Sequence, residues 1–356
     1  MKIGILTFHW ATNYGAILQC YALQSYIESL GHTVEVIDYK PRRHDDTLYT
    51  FFRYRKFLKL RDYLENKKKE LALVLFRKCK LKMSRRYYSF KEMPGKVDDY
   101  DAIISGSDQV LNTSFLLSGE GRGIKSPTYF LGFQFNGKRI GYALSFGCVK
   151  YPQELLSIAA EYIKHFNIIS VRECSGIDIV ASMGRNDAVV APDPTLLMDP
   201  KFYHHLADDY TYNLDEEYIY SFFIRNISER KITINELFKD KKILWNNEDG
   251  NYTMQGWLSK IKHSKFVVTD SFHCMVMCLK FHKPFVIVTE EEGYVGMNDR
   301  FYTLLEKVSL EFAIINKKEI ISIQRLLLKK FDWSVVDVVL GELQKNGSDF
   351  ISNSLS

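Results

Sequence analysis

No stretch of this 356-residue chain approaches the roughly 20 uninterrupted apolar residues that a bilayer-crossing helix needs. No membrane span is expected. Cysteine is sparse, at Cys20, Cys79, Cys148, Cys174, Cys274 and Cys278, and no two of these form a Cys-x-x-Cys pair. Free thiols and no structural metal are the expectation. Neither Gly-x-Ser-x-Gly nor His-Glu-x-x-His occurs, which argues against a serine hydrolase of the usual elbow type and a zinc peptidase. Met1 to Phe8 reads as a strand, with neither a positively charged leader nor a small-residue cleavage site, so a cytoplasmic protein is expected. Low complexity is absent as well: 46% hydrophobic residues and 14% aromatics describe a globular chain long enough for about two domains.

Acidic residues are scarce in one place. From Lys40 to Lys91 there are 18 Lys and Arg against 5 Asp and Glu, a local charge of +13 in a chain whose net charge is +5. Aromatic and aliphatic residues interleave with these cations, as in Phe51–Leu60 and Leu71–Lys78. Such a segment suits an anionic lipid surface, and a solvated helical hairpin inserted in the first domain is the plain alternative. No recognition motif for nucleic acid accompanies it, so no nucleic-acid partner is expected.

Chemistry concentrates at Thr269-Asp270-Ser271-Phe272-His273. Lys265–Thr269 reads as a buried strand, Cys274–Leu279 as an apolar helix and Pro284–Val288 as the next strand. His273 then sits near a helix N-terminus, where unpaired N–H groups and the macrodipole favour phosphate or carboxylate. Ser271 is either the N-cap or a ligand hydroxyl. An ordinary capped helix with a hydrogen-bonded histidine would account for the same residues.

Strand and helix patterns alternate along the rest of the chain, which predicts an α/β fold with mainly parallel sheets. Strands are expected at Lys2–Phe8, Thr33–Asp38, Ala102–Ser105, Arg139–Ala143, Ile168–Val171, Ala188–Val190, Tyr218–Phe223, Phe266–Thr269 and Phe285–Val288. A helix over Ala16–Leu30 should end at Gly31. Two Rossmann-like domains facing a cleft follow, divided near Lys150–Pro152. Residues 1–150 form the first, with a basic helical insertion at about 40–95. Residues 151–320 form the second, and 321–356 a C-terminal helix and tail, the helical stretch Ile320–Lys345 packing back across the first domain.

Loops at the carboxyl ends of such strands are where α/β folds bind ligands. Here they carry Asn13-Tyr14-Gly15, Ser105-Gly106-Ser107-Asp108-Gln109, Ser145-Phe146-Gly147 and Val171-Arg172-Glu173. Asn13 and Asp108 could equally be turn and cap residues. Arg172 could clamp an anion bidentately or pair with Glu173.

In order along the chain, Asn13-Tyr14-Gly15-Ala16-Ile17-Leu18-Gln19, Gly106-Ser107-Asp108-Gln109, Tyr142-Ala143-Leu144-Ser145-Phe146-Gly147, Ser170-Val171-Arg172-Glu173, Asp193-Pro194-Thr195-Leu196-Leu197, Thr269–His273 and Asn298-Asp299-Arg300 resemble the polysaccharide pyruvyl transferase family. Two positions depart from the family pattern: Cys274 stands where glycine is usual, and Leu111 where tryptophan is common.

The resemblance implies transfer of a pyruvyl group from phosphoenolpyruvate to two hydroxyls of a sugar, giving a cyclic ketal on a cell-surface polysaccharide or its lipid-linked precursor. It implies a GT-B-like, sialyltransferase-like architecture, with the first domain on the acceptor side and the second on the donor side. No cofactor is required beyond the phosphoenolpyruvate donor. The expected catalytic residues are His273 as general acid or phosphate stabiliser, Arg172 as anion clamp and Asp108 on the acceptor. Asn13, Gly15, Gln109, Ser271 and Arg300 are the expected substrate contacts, and Cys274 would narrow the donor pocket. A glycan acceptor carried on a polyprenyl diphosphate at the inner membrane face would give the basic segment a use. A nucleotide-sugar glycosyltransferase of GT-B type, or a non-catalytic scaffold retaining the fold, are the alternatives.

Overall fold

The computed structural model describes residues 1–44, 60–210, 216–225, 227–246, 249–289 and 295–356. The chain divides into two compact units, one of Met1–Leu197 with Leu343–Ser356 and one of Met198–Glu342.

Unit one begins with β1 (Lys2–Leu6), α1 (Tyr14–Ser29) and β2 (Thr33–Tyr39). Asn13 starts α1 by accepting the backbone N–H groups of Gly15 and Ala16, and Gly31, at φ 86°, follows its end. Next come α2 (Leu60–Lys80), β3 (Met83–Tyr87), β4 (Ala102–Ser105), α3 (Thr113–Ser118) and β5 (Lys138–Leu144). The unit's sheet and helices are completed by α4 (Gln153–Ile163), β6 (Ile168–Val171), α5 (Ser175–Ser182), β7 (Val189–Val190) and α6 (Pro194–Leu197). The strands form one parallel sheet in the order β3-β2-β1-β4-β5-β6-β7. Ile3, Ile5, Ile103 and Ile104 are buried in central strands covered on both faces, each contributing about 1.5–3 kcal/mol.

The second unit runs α7 (Pro200–Asp208), β8 (Tyr218–Phe222), α8 (Ile227–Leu237), β9 (Lys242–Trp245), α9 (Met254–His263) and β10 (Phe266–Thr269). It continues through α10 (Phe272–Lys280), β11 (Phe285–Thr289), α11 (Val295–Leu305), β12 (Ile314–Asn316) and α12 (Ile323–Leu326). Its parallel sheet has the order β12-β11-β10-β8-β9. Every residue of α10, the helix that carries His273, is buried. The last helix, α13 (Trp333–Leu355), crosses the unit boundary in sequence, and its final residues belong to unit one. Gln344 donates to the Leu197 carbonyl, and Phe350 packs on Tyr142.

Three sequence expectations are corrected. The division falls at Leu197 and Met198, not near Lys150–Pro152, because β6 and β7 extend the first sheet. Part of the basic insertion is not helical: Met83–Tyr87 pairs with β2 as an edge strand, and basic residues suit such an edge. Phe51–Lys59 of that segment lies outside the described residues. At the C-terminus, α12 and α13 are separate helices, and α13 continues to Leu355, beyond the expected Lys345. Among the described residues no helix is long and apolar enough to cross a membrane.

Candidate functional site

Strand order fixes where each sheet offers a ligand crevice. In unit one the order reverses between β1 and β4, and in unit two between β8 and β10. The loops leaving the carboxyl ends of those strands are the favoured binding positions of open α/β sheets. Asn13, Gly15, Asp108 and Gln109 follow β1 and β4, while Asp270, Ser271 and His273 follow β10.

Unit one holds a buried polar cluster there. Arg172, just past β6, donates from Nε to Glu173 at 3.0 Å and from Nη1 to Asp193 at 3.1 Å. Ser107 donates to the same Asp193 oxygen, and Ser145 to the same Glu173 oxygen. Asp193 also accepts from the backbone and hydroxyl of Thr195, fixing the Asp-Pro-Thr turn that starts α6. Burial works against the Arg172 charge, but Glu173, Asp193 and Asp108 outweigh it and hold the guanidinium above its ordinary value. Asp108 is half-buried; its Oδ1 accepts the Gln109 N–H and its carbonyl accepts from Ser145, which joins the two loops. Gly147, at φ 68°, closes that junction: a Cβ there would stand 3.0 Å from the Gln109 side-chain carbonyl. Next to this cluster, Gln19 of α1 donates to the Thr7 hydroxyl and ties the helix to the end of β1.

This arrangement revises two expectations. Arg172 lies in the same unit as Asp108, not on an opposing one. Its buried guanidinium is also already committed to two carboxylates, which suits a residue that positions the strand-end loops better than one that clamps a donor anion. Asn13 acts as the N-cap of α1 through its side-chain oxygen, with Gly15 as one of the capped residues.

Unit two centres on a carboxylate instead of an arginine. The Asp270 carboxylate bridges its switch point, accepting the backbone N–H groups of Ile224 at 2.7 Å and Arg225 at 3.1 Å. Arg230 of α8 joins it at 3.1 Å and lies over the Phe223 ring. Burial pushes the Asp270 carboxyl up, against the N–H groups and the arginines that pull it down. Ser271 is the N-cap of α10, but its bond to the Cys274 N–H is long at 3.4 Å, so the hydroxyl is only weakly engaged. His273 is buried in the first turn, its ring edge-on to Phe272. Arg300 of α11 lies over the other partners of that aromatic group, 5.5 Å from the Phe272 ring centre and 5.3 Å from Phe301. A helix N-terminus with a histidine in its first turn, next to the Asp270–Arg230 pair, is the kind of position that suits a small anion.

Two arginines escaped the sequence reading. Arg225 and Arg230 follow the apolar strand β8, and the argument applied to Arg172, an arginine at a buried strand's exit, would have selected Arg225. Cys274 is fully buried, and its thiol lies against Cys278 one turn along α10. Among the described residues no group of three or more His, Cys, Asp or Glu could hold a metal ion.

The sequence profile of a family described as polysaccharide pyruvyl transferase matches residues 13–292. No curated protein sequence matches the chain. Among solved structures, Methanocaldococcus jannaschii UDP-GlcNAc 2-epimerase, in complex with UDP-GlcNAc and UDP, is similar at a TM-score of 0.52 and 11% identity, with 100% of both chains covered. UDP-N-acetylglucosamine 2-epimerase from Rickettsia bellii is similar at 0.51 and 9% identity, over 99% of this chain and 95% of that one. These likenesses identify a GT-B-like fold of two Rossmann-like units.

Proposed function

Because this chain belongs to the polysaccharide pyruvyl transferase family, with a match spanning residues 13–292, we propose that it moves a pyruvyl group from phosphoenolpyruvate onto two hydroxyls of a glycan sugar, forming a cyclic ketal. The family match carries this reading, and the cation-rich start of α10 supports it. The donor presents a carboxylate and a phosphate on a three-carbon frame. It needs oriented N–H groups and fixed cations, which the first turn of α10, Arg225 and Arg300 supply.

His273 serves as general acid. Its proton goes to the enol methylene, which becomes a methyl group, and the adjacent carbon takes up the oxocarbenium charge. One sugar hydroxyl adds there and loses its proton; phosphate then departs, and the second hydroxyl closes the ring with loss of its own proton. Two hydroxyl protons leave, one balancing the methyl group and one the phosphate. Asp108, half-buried beside Gln109, is a carboxylate suited to taking a proton from a sugar hydroxyl bound at the strand ends of unit one. Arg172 holds the loop that carries Asp108. Proton transfer by a placed histidine is worth about 10²–10⁴ in rate.

Calorimetric titration with phosphoenolpyruvate, followed by phosphate-release assays across a glycan panel, tests this. The expected result is saturable donor binding by the wild type and by His273→Ala, with kcat lower in the variant by about 10²–10⁴. Saturable binding of a UDP-sugar with no response to phosphoenolpyruvate would transfer the chain to nucleotide-sugar chemistry. Wild-type turnover by His273→Ala would remove the histidine from the scheme.

A further inference from the structure

Helix α2 is anchored on one face and presents a second apolar stripe on the other. Leu73 and Phe76 are buried, Phe76 packing edge-on against Tyr21 of α1, and Lys69 lies over the Tyr14 ring. Arg77 and the Lys80 carbonyl add hydrogen bonds to His9 and Gln24. The outward face carries Leu64, Leu71 and Leu75, exposed by 49%, 61% and 54%. At 3.6 residues per turn these three fall within an arc of about 40°, and the exposed Lys68 and Lys78 flank them within about 100°. Glu65 and Glu70 fall outside that arc, and Glu70 pairs with Lys67.

We infer that this leucine stripe with its flanking lysines is a docking surface for an anionic lipid bilayer, the helix lying parallel to the membrane. Leucines in the middle of the stripe reach the boundary of the acyl chains, and the lysines reach phosphate headgroups on either side. The +13 charge between Lys40 and Lys91 is complementary to such a surface. A second copy is a poorer occupant, since stripe-to-stripe packing brings two pairs of lysines together. The stripe is fixed to α1 from behind, so it is a preformed face of unit one. The inference holds independently of the proposed transferase chemistry.

Flotation of the full-length protein with phosphatidylcholine vesicles, with and without phosphatidylglycerol, tests it. Binding is expected only with the anionic lipid and should weaken with salt. Leu71→Gln with Leu75→Gln should lower the partition coefficient about tenfold or more. Lys68→Gln with Lys78→Gln should lower it by about 25-fold at low salt. All four positions are exposed, and unchanged circular dichroism and an unchanged unfolding midpoint in urea would show that the variants fold. No binding to anionic vesicles at low salt would overturn the inference, as would binding that neither pair alters. Self-association in sedimentation equilibrium that disappears with the leucine pair would reassign the stripe to a second copy.

Discussion

The strand-end clusters of the two units are built from the same residue types but centre on opposite charges, an arginine in one and an aspartate in the other. In unit one a single arginine is shared between Glu173 and Asp193, with Asp108 adding to the negative field. In unit two one carboxylate, Asp270, faces Arg230 and Arg225, with Arg300 stacked on the neighbouring Phe272. The first balance is self-contained, and an added anion would meet carboxylates. The second sets a helix N-terminus beside its carboxylate, a kind of position that favours an anion. An arginine at a strand exit therefore signifies scaffold or ligand according to how many carboxylates it meets.

Removing the central cation of unit one is the strongest way to break this comparison. Arg172→Ala leaves Glu173 and Asp193 buried without their counter-charge, which should cost about 3–5 kcal/mol in urea unfolding. A donor clamp predicts the reverse pattern, normal unfolding with weakened phosphoenolpyruvate binding, and that result would restore Arg172 to the anion site.

Buried lysine makes a contrasting case. The Lys280 amine, at the far end of α10, donates to the Met198 carbonyl and is almost fully buried. Burial outweighs the pull of Asp199 and Asp337 and lowers it to about 8, whereas Arg172 is held above its ordinary value. Below pH 8 the amine is charged in both folded and unfolded chains, and the folded chain bears the desolvation cost. Between about 8 and the unfolded value of 10.5 the unfolded chain binds more protons, so stability attributable to this group rises with pH. The gain is up to about 3 kcal/mol, and Lys280→Met should abolish it in unfolding measured from pH 7 to 10.

Legibility in the sequence followed the range of the interactions. Central strands such as Ile3–Leu6 and Phe266–Thr269 were readable because burial on both faces leaves continuous apolar runs. β3 was not, since an edge strand can carry Arg85 and Arg86, and β12 has only three residues. The unit boundary was missed because local pattern identifies a strand without saying which sheet it joins. Ser271 and His273 were readable because a helix start is local chemistry. The partners of Arg172 were not: Asp193 lies 21 residues away and Ser107 65. Only the fold brings them together.

The two N-caps supply the smallest and most discriminating prediction. Asn13 accepts the Gly15 N–H at 2.9 Å and the Ala16 N–H at 3.4 Å, so its side-chain oxygen is already used in starting α1. Ser271 holds the Cys274 N–H only at 3.4 Å, beside His273, so its hydroxyl can turn to an anion. Ser271→Ala should therefore weaken phosphoenolpyruvate binding about tenfold, the worth of a hydrogen bond to a charged group. Asn13→Ala should cost about 1 kcal/mol of stability and leave donor affinity unchanged. If calorimetry found the donor weakened by Asn13→Ala and untouched by Ser271→Ala, the assignment of scaffold to unit one and anion to unit two would be inverted.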